Sequence, residues 1–201
     1  RLNLSKIWLG IDLRFGRARH GDAEDLIRWG GELGFTVGIV EPILVQGKRI
    51  GSSQIRQLIE QGRVDEVQPM LGRYHFISGR VVSGHRRGRN MGFPTANLAS
   101  VSELLPGDGI YATILELQNH CWLSVSSVGR NPTFGEGSRT VEAFILDFAG
   151  DIYGEAVKLS FVQRIREERM FAQIEDLVTQ MREDVQAARA IFDQLSFGCN
   201  N

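Results

Sequence analysis

Cysteine is nearly missing from this 201-residue chain, which holds only Cys121 and Cys199. Two residues so far apart build neither a disulfide framework nor a zinc knuckle, so two free thiols in a reducing cytoplasm are expected. Lysine is scarce too, 3 against 20 arginines. Arginine's planar fork suits phosphate oxygens, although a genome of biased base composition gives the same ratio. No run of about 18 apolar residues occurs, so no membrane partner is expected. The opening RLNLSKIWLG has no long apolar core, no small-residue cleavage site and no initiator Met, and it reads as the edge of a fragment. Charge of one sign is not in excess: a net −1 argues against a whole-surface nucleic-acid binder. What is present, 42% apolar and 23% charged residues, is the composition of a globular protein. Its length allows one full domain and part of another.

The first 72 residues alternate strand and helix signals. IWLG (7–10) reads as a short buried strand. Asp22 is the expected N-cap of a helix that stops at Gly34. FTVGIVEPILV (35–45) reads as a second strand, and Ser52 or Ser53 as the cap of a helix carrying Ile55, Leu58 and Ile59 on one face. A further helical piece runs to Leu71. Strand, helix, strand, helix predicts α/β with a parallel sheet. From about Tyr74 the pattern turns to β: 76–84, 109–117, 122–129, 140–148 and 155–165 are strand candidates, which favours a small antiparallel barrel or sandwich. At the end, Ile174, Leu177, Val178, Met181, Val185, Ala188, Ile191 and Phe192 form a helical stripe with no Pro or Gly between them, expected to pack as core against the barrel.

Residues 84–98, GHRRGRNMGFPTANL, carry the strongest chemical signal. Gly84, Gly88 and Gly92 recur every fourth position, so backbone can approach a ligand closely and its N–H groups can point at anionic oxygens. Arg86, Arg87 and Arg89 add positive charge. Pro94 stiffens the chain ahead of Thr95 and Asn97, whose side chains offer the hard oxygens that Mg²⁺ takes alongside phosphates. The pattern fits a polyphosphate and Mg²⁺ site, and a flexible surface hairpin fits it as well, since neither a GxxxxGK[ST] nor a GxGxxG motif is present.

GRVVSGHRRGRNMGFPTANL (79–98) closely resembles the signature of riboflavin kinases. The resemblance continues in order through DGIYA (108–112), SVGRNPTF (127–134), VEAFILDFAGDIYGE (141–155) and IREERMF (165–171). Upstream, LGIDLRFGRARHGD (9–22) and RIGSSQIRQLIEQG (49–62) resemble the later part of the FMN adenylyltransferase module of bacterial bifunctional FAD synthetases. The resemblance implies an α+β chain. Residues 73–201 would form a six-stranded antiparallel kinase barrel with a C-terminal helix, and 1–72 the tail of a Rossmann-like nucleotidyltransferase. Three positions depart from the family pattern: Tyr74-His75 at the module junction, Gly51 where Ser is usual, and Met170 where Lys is usual.

The resemblance implies ATP-dependent phosphorylation of riboflavin to FMN, with ATP and riboflavin as substrates and Mg²⁺ as cofactor. ATP would meet Gly84, Arg87, Gly88, Gly92, Pro94, Thr95 and Asn97, with Thr95 and Asn97 toward the metal. Glu142 is the expected general base. Alternation in TVEAFILDF sets it on the face of Phe144, Leu146 and Phe148, where apolar neighbours favour a raised pKa, although Val141, Ala143 and Ile145 on the other face are apolar too. Asn131, which composition alone reads as a turn residue, and Arg166 and Glu168 would lie on the flavin side. Asp12, Ser52, Ser53 and Arg56 match only the later half of an adenylylation site. The chain has no His-x-Gly-His pair, so adenylylation of FMN to FAD is expected of the parent and not of this fragment. Two other readings compete with this one. A single-strand-binding barrel would interleave aromatics with its basic residues, and 84–92 has none. A non-catalytic flavin binder would have lost Glu142, Thr95 or Asn97, and all three are present.

Overall fold

The computed structural model describes residues 3–45, 47–83, 92–99, 103–118, 120–130 and 139–195. The chain divides into two compact units, 1–51 and 52–201.

In the first unit, β1 (Lys6–Gly10) and β2 (Thr36–Val40) form the expected parallel pair, with Trp8 opposite Gly38. Between them runs α1 (Ala23–Leu33). Asp22 caps it by accepting from the N–H groups of Glu24 and Asp25, and the Asp25 carboxylate accepts from the Asp22 N–H in return. Gly34 ends the helix at φ 81°, where a side chain would be strained. The single strand expected over 35–45 is two. Glu41-Pro42 interrupts it, and β3 (Leu44–Val45) pairs instead with β4 (Lys48–Arg49).

The second unit opens with α2 (Ser52–Glu60) and α3 (Val64–Leu71). Ser52 and Ser53 lie in the first turn of α2 itself. Then come β5 (His75–Val82), β6 (Thr95–Ala99), β7 (Gly109–Leu117), β8 (His120–Arg130), β9 (Arg139–Ile145), β10 (Ala156–Arg166) and α4 (Ile174–Gln194). The six strands close into an antiparallel barrel in the order β10-β5-β6-β9-β8-β7. Closure pairs the backbone of every strand on both sides and leaves no edge open.

Alternation decides which residues fill the barrel. Ile77, Leu98, Leu115, Val128, Val141 and Phe161 point inward, joined by Val64 from α3. Three buried hydroxyls satisfy one another, Thr113 Oγ1 lying 2.8 Å from Ser124 Oγ and 2.7 Å from Ser126 Oγ. Outside, Ala112, Ile114 and Val162 meet Ala188 and Phe192 of α4. Only this C-terminal half of the helical stripe packs as core; Ile174 is 64% exposed. Cys121, expected as a free thiol, is disulfide-bonded. No helix among the described residues is long and apolar enough to cross a membrane.

Candidate active site

FPTANL does not end a loop. Pro94 is followed at once by β6, a strand that the sequence pattern does not separate from the loop. Its register against β9 sets Thr95 opposite Phe144 and Asn97 opposite Glu142. Directly opposed residues of antiparallel strands share a face. The same row continues through Ser127 of β8 and Ile110 of β7 to Arg166, the last residue of β10. Asn97, Glu142, Ser127, Ile110 and Arg166, remote in sequence, thus form one line across five strands on the outer wall.

Two irregularities in β10 bring Arg166 into that row. The ladder with β7 slips between Phe161 and Gln163 and again between Arg164 and Arg166. Each inserted residue re-aims the side chains beyond it.

The part of the row from Glu142 through Ser127 and Ile110 to Arg166 floors a cavity of about 320 Å³, within the range of small-molecule sites. Thr95, Glu142 and Phe144 line one wall, and Leu177, Met181 and Val185 of α4 line another. The N-terminal half of the α4 stripe is therefore a cavity wall. Phe93 meets Phe144 edge to face with ring centroids 5.1 Å apart. A second cavity of about 460 Å³ lies between Pro94, Thr95, Ala96, Ile145, Phe148 and Tyr153. Thr95 lines both, and its hydroxyl donates to Glu142 Oε2 at 3.2 Å. The face expected to carry Phe148 ends earlier: β9 stops at Ile145, Asp147 takes φ 56°, and Phe148 packs on Trp122 beside the interior cluster.

Arg166 and Glu168 both line the first cavity. Asp184 of α4, 4% exposed, holds Arg166 from the far side and is a site residue that the sequence reading did not include. A signal for it exists: Asp184 falls four residues before Ala188 and three after Met181, a charge on an otherwise apolar stripe. Glu168 stays exposed as a residue, but its carboxyl end rests against the barrel at Gly129. Partial burial pushes its pKa up, helped by the negative charges of Asp108 and Glu142 and opposed by Arg139 and Arg166.

Gly92 is described at φ 83°, a left-handed turn leading into Phe93-Pro94. Gly84, Arg87, Gly88 and Asn131 lie outside the described residues. Asp12 belongs to the first unit, where it pairs with Arg49 at 2.7 Å, and Ser52, Ser53 and Arg56 belong to α2 of the second. No group of three or more His, Cys, Asp or Glu fit to hold a metal occurs among the described residues.

The barrel thus carries two cavities that meet at Thr95, which lines both. The family model described as "Flavokinase: Riboflavin kinase" matches residues 71–192, and the chain belongs to the riboflavin kinase family. It is 36% identical over 191 residues to the bifunctional riboflavin kinase/FMN adenylyltransferase of Pseudomonas fluorescens, covering 94% of this chain and 61% of that protein. The protein of the same name from Bacillus subtilis is 35% identical over 202 residues, with 96% and 62% covered. This chain thus spans about three-fifths of the length of these relatives. A crystal structure described as a macrolide-efflux protein from Streptococcus pneumoniae superposes with a TM-score of 0.78 at 37% identity, covering 90% of this chain and 58% of that one.

Proposed function

We propose that this chain phosphorylates riboflavin to FMN with ATP, the flavin lying in the cavity under α4 and the nucleotide in the cavity beside Pro94. The observation that carries the reading is Thr95, a residue that lines both cavities and whose hydroxyl donates to Glu142. Phosphoryl transfer needs two reactants in line and a group to take the hydroxyl proton, and positioning supplies most of the rate. A ribityl 5′-hydroxyl at the Thr95–Glu142 junction would pass its proton to the Glu142 carboxylate as its oxygen bonds to the γ-phosphorus and the bond to ADP breaks. The Thr95 hydroxyl holds one carboxylate oxygen and leaves the other for that proton.

The donor set suits Mg²⁺. A hydroxyl, an amide carbonyl and a carboxylate on adjacent strands are the hard oxygens that this ion takes together with phosphate. Thr95 and Asn97 would hold it. When bound it neutralises charge on the transferring phosphate. Arg166, Glu168 and Asn131 belong to the flavin side in this reading, and Gly84, Arg87, Gly88, Gly92 and Pro94 to the nucleotide side. Residues 73–201 are the kinase domain. Residues 1–72, with Asp12, Ser52, Ser53 and Arg56, correspond in this reading to part of an adenylyltransferase domain. These 201 residues, which hold no His-x-Gly-His pair, would not adenylylate FMN to FAD.

Incubation of the purified chain with riboflavin, ATP and Mg²⁺, followed by chromatography of the flavins, tests both statements. FMN without FAD is the expected product. No FMN would refute the kinase reading, and FAD formed in the absence of host enzyme would refute the second.

A further inference from the structure

Gly129 sits on β8 two residues beyond Ser127, buried and facing the same side of the wall. Its φ lies outside the left-handed range, so the backbone there does not call for glycine. Space does. A Cβ on Gly129 would fall 2.1 Å from Glu168 Oε1 and 2.4 Å from Glu168 Cδ, far inside any van der Waals contact. The place a side chain would occupy is taken by the Glu168 carboxyl group.

We propose that Gly129 is a positioning residue: its bare Cα is the seat on which the Glu168 carboxyl group rests, and this seat holds the segment 167–171 over the cavity under α4. Among the described residues the other ties on that segment are few. Arg166 is anchored at its start by Asp184. The Glu167 side chain is 84% exposed and reaches Arg164 at 3.8 Å, while the Glu167 carbonyl accepts from Arg166 Nη1 at 2.8 Å. Met170 is wholly exposed, and Phe171 lies 5.9 Å from the Arg166 guanidinium. Between these ends Glu168 touches the barrel wall at Gly129. Arg139, Arg166, Asp108 and Glu142 all act on its charge, so its place is set among opposed charges as well as by shape. A methyl group at 129 would meet the free end of a flexible side chain, not backbone, so the barrel would keep its fold and Glu168 would leave.

The seat itself does not depend on what the cavity binds; its effect on the flavin rests on the function proposed above. The test is a double-mutant cycle over Gly129→Ala and Glu168→Ala, read by native-state tryptic cleavage after Arg169 with mass spectrometry of the fragments. Gly129→Ala is expected to speed this cleavage about tenfold by opening the segment locally. Glu168→Ala, which leaves the barrel untouched, should do the same, and adding Gly129→Ala to it should change nothing further. A parent-like cleavage rate in Gly129→Ala, or an equal increase in both backgrounds, would overturn the proposal. With the flavin present, Gly129→Ala should raise KM for riboflavin more than it lowers kcat. A parent chain that neither binds nor turns over riboflavin would overturn the kinase reading, and the proteolytic cycle would still decide on the seat.

Discussion

Arg166 and Asp184 meet at two points, Nε to Oδ1 at 2.7 Å and Nη2 to Oδ2 at 2.8 Å, with side chains 14% and 5% exposed. The fork ties the last residue of the barrel's final strand to the middle of the helix that roofs the cavity. Removing one partner leaves the other charge with little water around it. Asp184→Ala should therefore cost on the order of 3 kcal/mol, since breaking a buried pair is far more damaging than its net contribution suggests. Urea unfolding of the variant against the parent measures it, and a change under about 0.5 kcal/mol, the level of an ordinary surface substitution, would contradict the pair's role.

Glu142 makes a sharper case because one oxygen is already engaged. Glu142→Gln keeps size and the bond from Thr95, and it removes the proton acceptor. FMN formation should fall by about 10²–10⁴-fold while riboflavin and MgADP still bind. Turnover within a few-fold of the parent would reject Glu142 as the base.

In the proposed function Thr95 and Asn97 belong to the nucleotide side of the same junction. Thr95→Ala and Asn97→Ala are each expected to weaken MgADP about tenfold by loss of one oxygen to a charged partner, with riboflavin affinity less affected. Calorimetric titration of both ligands separates the two effects, and unchanged MgADP affinity in both variants would contradict the assignment.

His75 gives the fold a pH dependence of its own. It is 9% exposed, stacks on Phe161, and its Nε2 donates to the Leu104 carbonyl at 2.8 Å. Burial pushes its pKa below the ordinary 6.5, with the Leu104 bond acting in the other direction. The unfolded chain then binds a proton that the folded one declines. This contribution to stability is complete above the unfolded value and is lost as pH falls through the folded one. His75→Gln should flatten the fall of unfolding free energy below pH 6.5, a slope of at most about 1.4 kcal/mol per pH unit for one group. An unchanged slope in urea titrations across that range would contradict the prediction.

Local chemistry was readable wherever neighbouring residues decide it. The Asp22 cap, the Gly34 stop, the parallel β1–β2 pair and the span of β7 follow from caps, turns and period-two patterning, which are short-range properties. The residue types from which a phosphate and metal site is proposed stand together in FPTAN. Family likeness supplied the six strands that pattern alone counted as five. Only tertiary structure could decide which residues meet. Barrel closure sets Asn97 against Glu142 and carries that row to Arg166, because the register of distant strands is fixed by cross-strand packing and by two bulges in β10 that no periodicity announces. The stripe on α4 was legible as apolar, yet its split into cavity wall and core depends on where the helix leaves the barrel surface. Gly129 falls at the end of the strand expected over 122–129; the carboxyl group resting on it arrives from a segment nearly forty residues away, and only the folded chain brings the two together.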